Sequence, residues 1–235
     1  METVNIAAVS GADNITVGDM TGTGVKQVNI DLAGSAGGNT GDGLTDTVVI
    51  NGTAGSDVIT LSMRDGALVV GGLSEEVVIK NFDPNDAIHI AGLGGDDVID
   101  ASALGAGGPQ ITLDGGEGDD VLIGSAGNET LLGAGGDDVL RGNGGVDVLD
   151  GGPGNNVVIP GFAAPAENTS ASQGDIFALG QVTIEDFEGS QSGAANAGST
   201  DDLHGMTGVP DFGVEEQLAS VHVEDTSSHP DGYLL

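Results

Sequence analysis

The sequence predicts an all-β protein built as a parallel solenoid, a β-roll or β-helix, with irregular larger coils N-terminally and a loosely ordered acidic C-terminal tail. Three observations carry this. Residues 115–159 divide without a gap into five nine-residue units. Isolated copies of the same unit recur upstream, each preceded by a short alternating strand. Glycine reaches 44 of 235 residues while aromatics make up 3%. That composition suits thin stacked strands cored by Val, Ile and Leu better than a thick aromatic core.

Taken in chain order, the N-terminus METVNIAAVS lacks a basic stretch followed by a long apolar run, so it does not read as a cleavable signal. Val4 and Ile6 alternate as a strand and lead into AVSGADNIT (8–16), a weak copy of the unit with Gly11, Asp13 and Ile15. TGDG at 40–43 reads as a turn. Val48 and Ile50 form a second strand before GTAGSDVIT (52–60), with Asp57 in the sixth place. Residues 67–71 and 76–82 pair as strands, and NFDPN at 81–85 is a turn. Ile88 and Ile90 precede GLGGDDVID (92–100), with Asp97 sixth. Ile111 and Leu113 introduce the gapless array: GGEGDDVLI, GSAGNETLL, GAGGDDVLR, GNGGVDVLD, GGPGNNVVI. Its sixth places are Asp120, Glu129, Asp138, Asp147 and Asn156; its eighth are Leu122, Leu131, Leu140, Leu149 and Val158. After Pro160 the period stops. Residues 161–201 are rich in Ala, Ser, Gly and Asn and read as a linker, with apolar patches at 176–179 and 182–187. The expected organisation is therefore a degenerate solenoid over 1–110, a tight array over 111–160, and a linker and tail over 161–235.

Charge narrows the function. Thirty-seven Asp and Glu face four Lys and Arg, a formal net charge of −33. Nucleic acid and anionic membrane surfaces are excluded as partners, since nothing basic is available to displace phosphate counterions. So many carboxylates either form a solubility or halophilic surface or collect cations. There is no cysteine, which removes disulfides and thiolate metal sites. No stretch has the length and apolarity of a membrane-spanning helix.

The period chooses between the two readings of the acids. The residues after the sixth place form a short strand whose eighth residue points inward, by the period of two. The first six form a turn in which glycine permits positive φ and close approach to an ion. Two units make one flattened coil, so units two apart stack about 4.8 Å from each other. Calcium–oxygen bonds of about 2.3–2.6 Å let one ion reach both levels, using carbonyls and sixth-place carboxylates.

These units resemble the hemolysin-type calcium-binding repeats of RTX proteins, closely over 92–159 and more loosely over 1–91. The resemblance implies a parallel β-roll with Ca²⁺ between turns two repeats apart. Carried over residue by residue, it pairs Asp120 with Asp138, and Asp138 with Asn156, on one edge. Glu129 and Asp147 pair on the other. Carbonyls of Gly115, Glu117, Asp119, Gly133, Gly135 and Asp137 complete the shells. Glu129 is one methylene too long and Asn156 lacks a charge, so the Asp120/Asp138 site is expected to be the tightest. Asp97, also a candidate ligand, has no partner nine or eighteen residues away, and Asp57 shares that lack. The resemblance further implies a secreted protein that folds on binding calcium and leaves through a type I exporter reading an uncleaved C-terminal signal. The tail ending in DGYLL, without Lys or Arg, is compatible with that.

Catalysis is not expected. There is no HExxH motif, no G-x-S-x-G elbow around Ser125 or Ser192, and no P-loop lysine. His89, His204, His222 and His229 are scattered. Two alternatives remain open. One is a structural or adhesive solenoid with an unknown surface or matrix partner. The other is a C-terminal fragment of a larger RTX toxin or hydrolase.

Overall fold

The computed structural model describes residues 2–161 together with the strands at 168–170 and 176–177. Tail residues singled out in the sequence, among them Ser192, His204, His222, His229 and DGYLL, lie outside the described residues.

All described regular structure is β. The strands are β1 (Glu2–Ala7), β2 (Asn14–Val17), β3 (Val25–Asp31), β4 (Thr47–Asn51), β5 (Val58–Arg64), β6 (Ala67–Gly71), β7 (Glu76–Lys80), β8 (Ala87–Ala91) and β9 (Val98–Asp100). They continue with β10 (Gln110–Glu117), β11 (Val121–Ile123), β12 (Glu129–Gly135), β13 (Val139–Arg141), β14 (Val148–Asp150), β15 (Val157–Ile159), β16 (Asn168–Ser170) and β17 (Ile176–Phe177). The described strands form two sheets. The ten-stranded sheet runs β1-β3-β7-β6-β5-β9-β11-β13-β15-β17, and the seven-stranded sheet runs β16-β14-β12-β10-β8-β4-β2. From β9 onward the chain alternates between sheets, so each coil supplies one parallel strand to each. This is the parallel β-roll that the nine-residue period predicts.

Burial follows the period of two. Leu122, Leu131, Leu140, Leu149 and Val158, the eighth places, are all fully buried. In the ten-stranded sheet Ile59, Ile99, Leu122, Leu140 and Val158 stand in one inward column by register. In the seven-stranded sheet Ile50, Ile90, Leu113, Leu131 and Leu149 form its counterpart. A strand of only three residues suffices because its central side chain meets its copies above, below and across.

The columns pass through position 110 without interruption, since β8 pairs with β10 and β9 with β11. Two irregularities interrupt the simple winding. β6 is the antiparallel exception, bound on both sides by β5 and β7. It answers the expected strand pairing of 67–71 with 76–82. Residues 101–109 are the second: they lengthen the connection from β9 to β10, tucking Ala101 into the core. Beyond Pro160, β16 and β17 extend the two sheets in register with β14 and β15. Part of the segment read as a linker therefore keeps the strand pairing after the sequence period has gone.

Candidate metal centre

Winding between two sheets creates two edges of stacked turns. At the first edge the chain passes from the seven-stranded to the ten-stranded sheet, and the turns end in Asp57, Asp97, Asp120, Asp138 and Asn156. These residues make a hydrogen-bonded ladder. The Asp57 N–H donates to Asp97 Oδ1 at 2.7 Å, the Asp97 N–H to Asp120 Oδ1 at 2.7 Å, the Asp120 N–H to Asp138 Oδ1 at 2.9 Å, and the Asp138 N–H to Asn156 Oδ1 at 2.7 Å. Asp97, Asp120 and Asp138 are each only 1% exposed. One oxygen of each therefore ties two levels together. The structure brings Asp120, Asp138 and Asn156 into adjacent levels, and adds Asp97 and Asp57, whose separations of 23 and 40 residues hid the relation.

The second oxygens differ along this ladder. Asp97 Oδ2 and Asp120 Oδ2 are buried with no hydrogen-bond partner among the described residues. Asp57 Oδ2 instead accepts the Thr53 N–H at 2.6 Å. Asn156 donates its own Nδ2–H to Gly152 O at 3.0 Å. The carboxyl of Asp120 is pushed up to about 6, chiefly by burial. The Asp97 N–H partly offsets this, and the charges of Asp138, Asp97 and Asp96 add to it. Asp97 is raised as well, again mainly by burial, with a backbone bond from Asp57 opposing and the charges of Asp57 and Asp96 reinforcing. A buried carboxylate oxygen without a donor costs free energy that a cation can return.

Glycine at the first and fourth places serves two separate purposes. Gly118 and Gly136, fourth places, hold φ of +130° and +142°, which L side chains rarely adopt. The first-place glycines Gly115 and Gly133 are not in that region. A Cβ on Gly133 would collide with Asp138 Oδ2 and lie 2.7 Å from Gly151 O of the next level. A Cβ on Gly115 would strike Asp120 Oδ2. First-place glycine thus leaves room for the turn's own carboxylate, and at Gly133 also for the next level's first carbonyl.

The opposite edge is built differently. Its turns end in Asp13, Asp46 and Asp86 upstream, and in Glu129 and Asp147 within the array. The Asp13 N–H donates to Asp46 Oδ1 at 2.8 Å and the Asp46 N–H to Asp86 Oδ1 at 2.9 Å, while Asp86 Oδ2 accepts the Asp83 N–H at 2.7 Å. The copy around Asp13 thus lies on the other edge from Asp57 and Asp97, although their sequences align. Burial raises the Asp46 carboxyl, eased by the Asp13 N–H. In the array the Glu129 N–H donates to Asp147 Oδ1 at 2.9 Å, so this expected pair is also brought together. Both Glu129 oxygens are already used, however: Ser125 donates its N–H at 2.9 Å and its hydroxyl at 2.6 Å. The extra methylene expected to weaken metal binding lets the carboxylate reach back to the start of its own turn.

A family model of the RTX calcium-binding nonapeptide repeat matches residues 112–140 and 123–158, with four copies. Residues 112–158 are RTX calcium-binding repeats. No curated protein and no solved structure matches the chain.

The donors of the RTX array fit calcium in kind, being oxygens throughout. Among the described residues no three acidic or histidine side chains converge on one point. An ion at the first edge must therefore draw much of its shell from backbone carbonyls. Of the expected carbonyl ligands, Gly115 O faces the Gly92 gap. Glu117 O accepts the Gly95 N–H and Gly135 O the Gly118 N–H, each at 2.8 Å, leaving one lone pair apiece. The fifth-place residues stack through side chains instead, with the Asp137 N–H donating to Asp119 Oδ1 at 2.9 Å. Asp46, Asp86, Thr53 and the capping role of Ser125 escaped sequence reasoning. Asp46 and Asp86 had a visible signal, since each closes a Gly- or Asn-rich turn just before an alternating strand.

Proposed function

We propose that the RTX array binds Ca²⁺ along its first edge, between the turns Gly115–Asp120, Gly133–Asp138 and Gly151–Asn156, and that this binding drives its folding. Asp120 and Asp138 supply charge, and first-place carbonyls of the adjoining level supply neutral oxygens. The ion supplies positive charge to oxygens that would otherwise face one another across stacked turns. The observation that supports this reading is the Oδ2 of Asp120, buried and with no hydrogen-bond donor among the described residues, in a turn of matching repeat sequence. The opposite edge of the array carries no ion in this reading, because Ser125 already occupies the Glu129 carboxylate.

Binding free energy becomes folding free energy where ligands are assembled only in the folded chain. Extracellular calcium modules work at about 10⁻⁴–10⁻³ M. A glycine-rich acidic chain would then stay open at low cytosolic calcium and fold after export, so we assign the protein to the extracellular space. Its role there is calcium-dependent folding and not catalysis, and its export would run through the C-terminal tail. A calcium titration followed by circular dichroism, with bound ions counted by equilibrium dialysis, tests the central claim. Strand signal that ignores chelator, together with no bound calcium, would refute it. Removing the tail and measuring export tests the route.

A further inference from the structure

We propose that the outer face of the ten-stranded sheet docks a second copy of this chain, in a two-fold dimer with β11 at its centre. None of the residues that make this contact is a candidate metal ligand.

From β5 through β9, β11, β13 and β15, each strand sets one residue outward just before the inward column and one just after it. The residue before it is valine at every level: Val58, Val98, Val121, Val139 and Val157 stand in register. Single file at a strand spacing of about 4.8 Å, they form a flat apolar stripe about 19 Å long. Val58 is 60% exposed and the other four are half-buried. Strand propensity alone favours valine on both outer faces. The seven-stranded sheet nevertheless has no such stripe, because Thr16, His89, Thr112 and Thr130 share the equivalent column with Val49 and Val148. In a chain of net charge −33, apolar surface gathered on one face marks a contact site.

Charge indicates what covers the stripe. The outward residues after the inward column are Thr60, Asp100, Ile123, Arg141 and Ile159. Arg141 is exposed, is the last cation in the sequence, and makes no ion pair among the described residues. Asp100 spends one oxygen on the Ser102 N–H at 2.8 Å. These two charges lie one level to either side of β11. A two-fold axis along β11 keeps strand direction and reverses the order of levels, as a self-complementary contact requires. It sets Asp100 against Arg141 of the second copy, and Arg141 against Asp100. Val121 and Ile123 meet their own copies, and Val58 meets Val157. One operation therefore joins the apolar residues and neutralises both charges on the face. Facing sheets pack about 10 Å apart, a gap that an arginine crosses to reach a carboxylate. The exposed fifth-place acids Asp96, Asp119 and Asp137 fall on one rim in both copies. Their repulsion is screened at about 0.15 M salt, where the Debye length is about 8 Å.

Sedimentation equilibrium of the full-length chain, in calcium and about 0.15 M salt and up to about 1 mM protein, tests the contact. Wild type should show a monomer–dimer equilibrium. Arg141→Asp sets acid against acid at both ends of the contact, and Asp100→Arg sets cation against cation. Each variant alone should weaken the dimer about tenfold or more. Mixed in equal amounts, the two should recover a heterodimer, because each supplies the sign that the other lacks. Val121→Glu places a charge at the centre of the stripe and should abolish association. Circular dichroism checks that every variant keeps the wild-type strand signal. Should Asp100→Arg fail to fold for want of its Ser102 bond, Arg141→Asp and Val121→Glu carry the test, since neither removes a side-chain hydrogen bond among the described residues. A wild type that stays monomeric leaves the stripe to a different partner and overturns the proposal. A dimer indifferent to Val121→Glu forms elsewhere on the chain and overturns it too. A mixture of folded charge variants that stays monomeric overturns the two-fold pairing.

Discussion

Replacing Asp120 by asparagine should stabilise the protein without calcium and weaken it with calcium. Burial, opposed by the Asp97 N–H and reinforced by Asp138, Asp97 and Asp96, lifts this carboxyl from 3.8 to about 6. At roughly 1.4 kcal/mol per pH unit, keeping it ionised at neutral pH costs the metal-free fold about 3 kcal/mol, which solvent screening trims to about 2. Asparagine keeps an oxygen for the Asp97 N–H and removes the charge. For a chain of this size the gain is a rise in Tm of about 4–8 °C in chelator. In saturating calcium the sign reverses, because the variant loses a ligand and with it about 3 kcal/mol of linkage at a hundredfold excess over Kd. The pH dependence follows from the same shift. A carboxyl raised in the folded state gives its full stability below 3.8 and loses it as pH rises through about 6. The metal-free wild type should therefore be more stable at pH 5 than at pH 7, and Asp120→Asn should show less of that slope. Urea or thermal unfolding followed by circular dichroism, with chelator and with calcium, reads both effects. Equal destabilisation in the two conditions would mean that Asp120 is only a structural acceptor, and would refute the reasoning.

Ser125→Ala removes the hydroxyl donor from the buried Glu129 Oε1 while keeping the backbone N–H on Oε2, and should cost about 1–3 kcal/mol with or without calcium, leaving the ion count unchanged. A lost ion would instead place metal on the opposite edge. Asn156→Asp sets a second acceptor against Gly152 O where an amide now donates, so chelator-treated protein should unfold about 1–3 kcal/mol more easily; unchanged unfolding would show that this bond contributes nothing. Gly118→Ala forces a side chain into φ of +130° and against Gly95 O. It should lower Tm in chelator and in calcium alike, and a variant as stable as wild type would remove the conformational argument for fourth-place glycine. Leu131→Ala, at a fully buried column position, should cost about 2–5 kcal/mol by urea unfolding. A loss below 1 kcal/mol would mean that the inward column does not hold the roll together.

Much of the roll was legible because its determinants are local. Glycine at the first and fourth places, an acid or amide at the sixth and an aliphatic at the eighth specify turn, ladder and core residue within nine positions. Sheet membership was less legible. The unit around Asp13 shares its fourth, sixth and eighth places with those around Asp57 and Asp97 yet lies on the opposite edge. A turn of this type joins the sheets in either direction, and only the preceding strand's partner decides which. Asp97 has no stacking neighbour at the eighteen-residue spacing of the array, because an insertion on the far edge changes the count without changing the stack.

The nine-residue period by itself determined that this chain winds as a parallel β-roll, which side chains fill it, and where carboxylates line its turns. Only the tertiary structure decided which of those carboxylates remain available to a cation. Asp57, Glu129 and Asn156 occupy the same place in their units as Asp97 and Asp120. The first two find donors in Thr53 and Ser125, and Asn156 carries a donor of its own. Asp97 and Asp120 each keep a buried oxygen with no donor among the described residues. That difference depends on reach and on what the adjoining turn presents at a few ångströms, which residue identity at a repeat position does not encode.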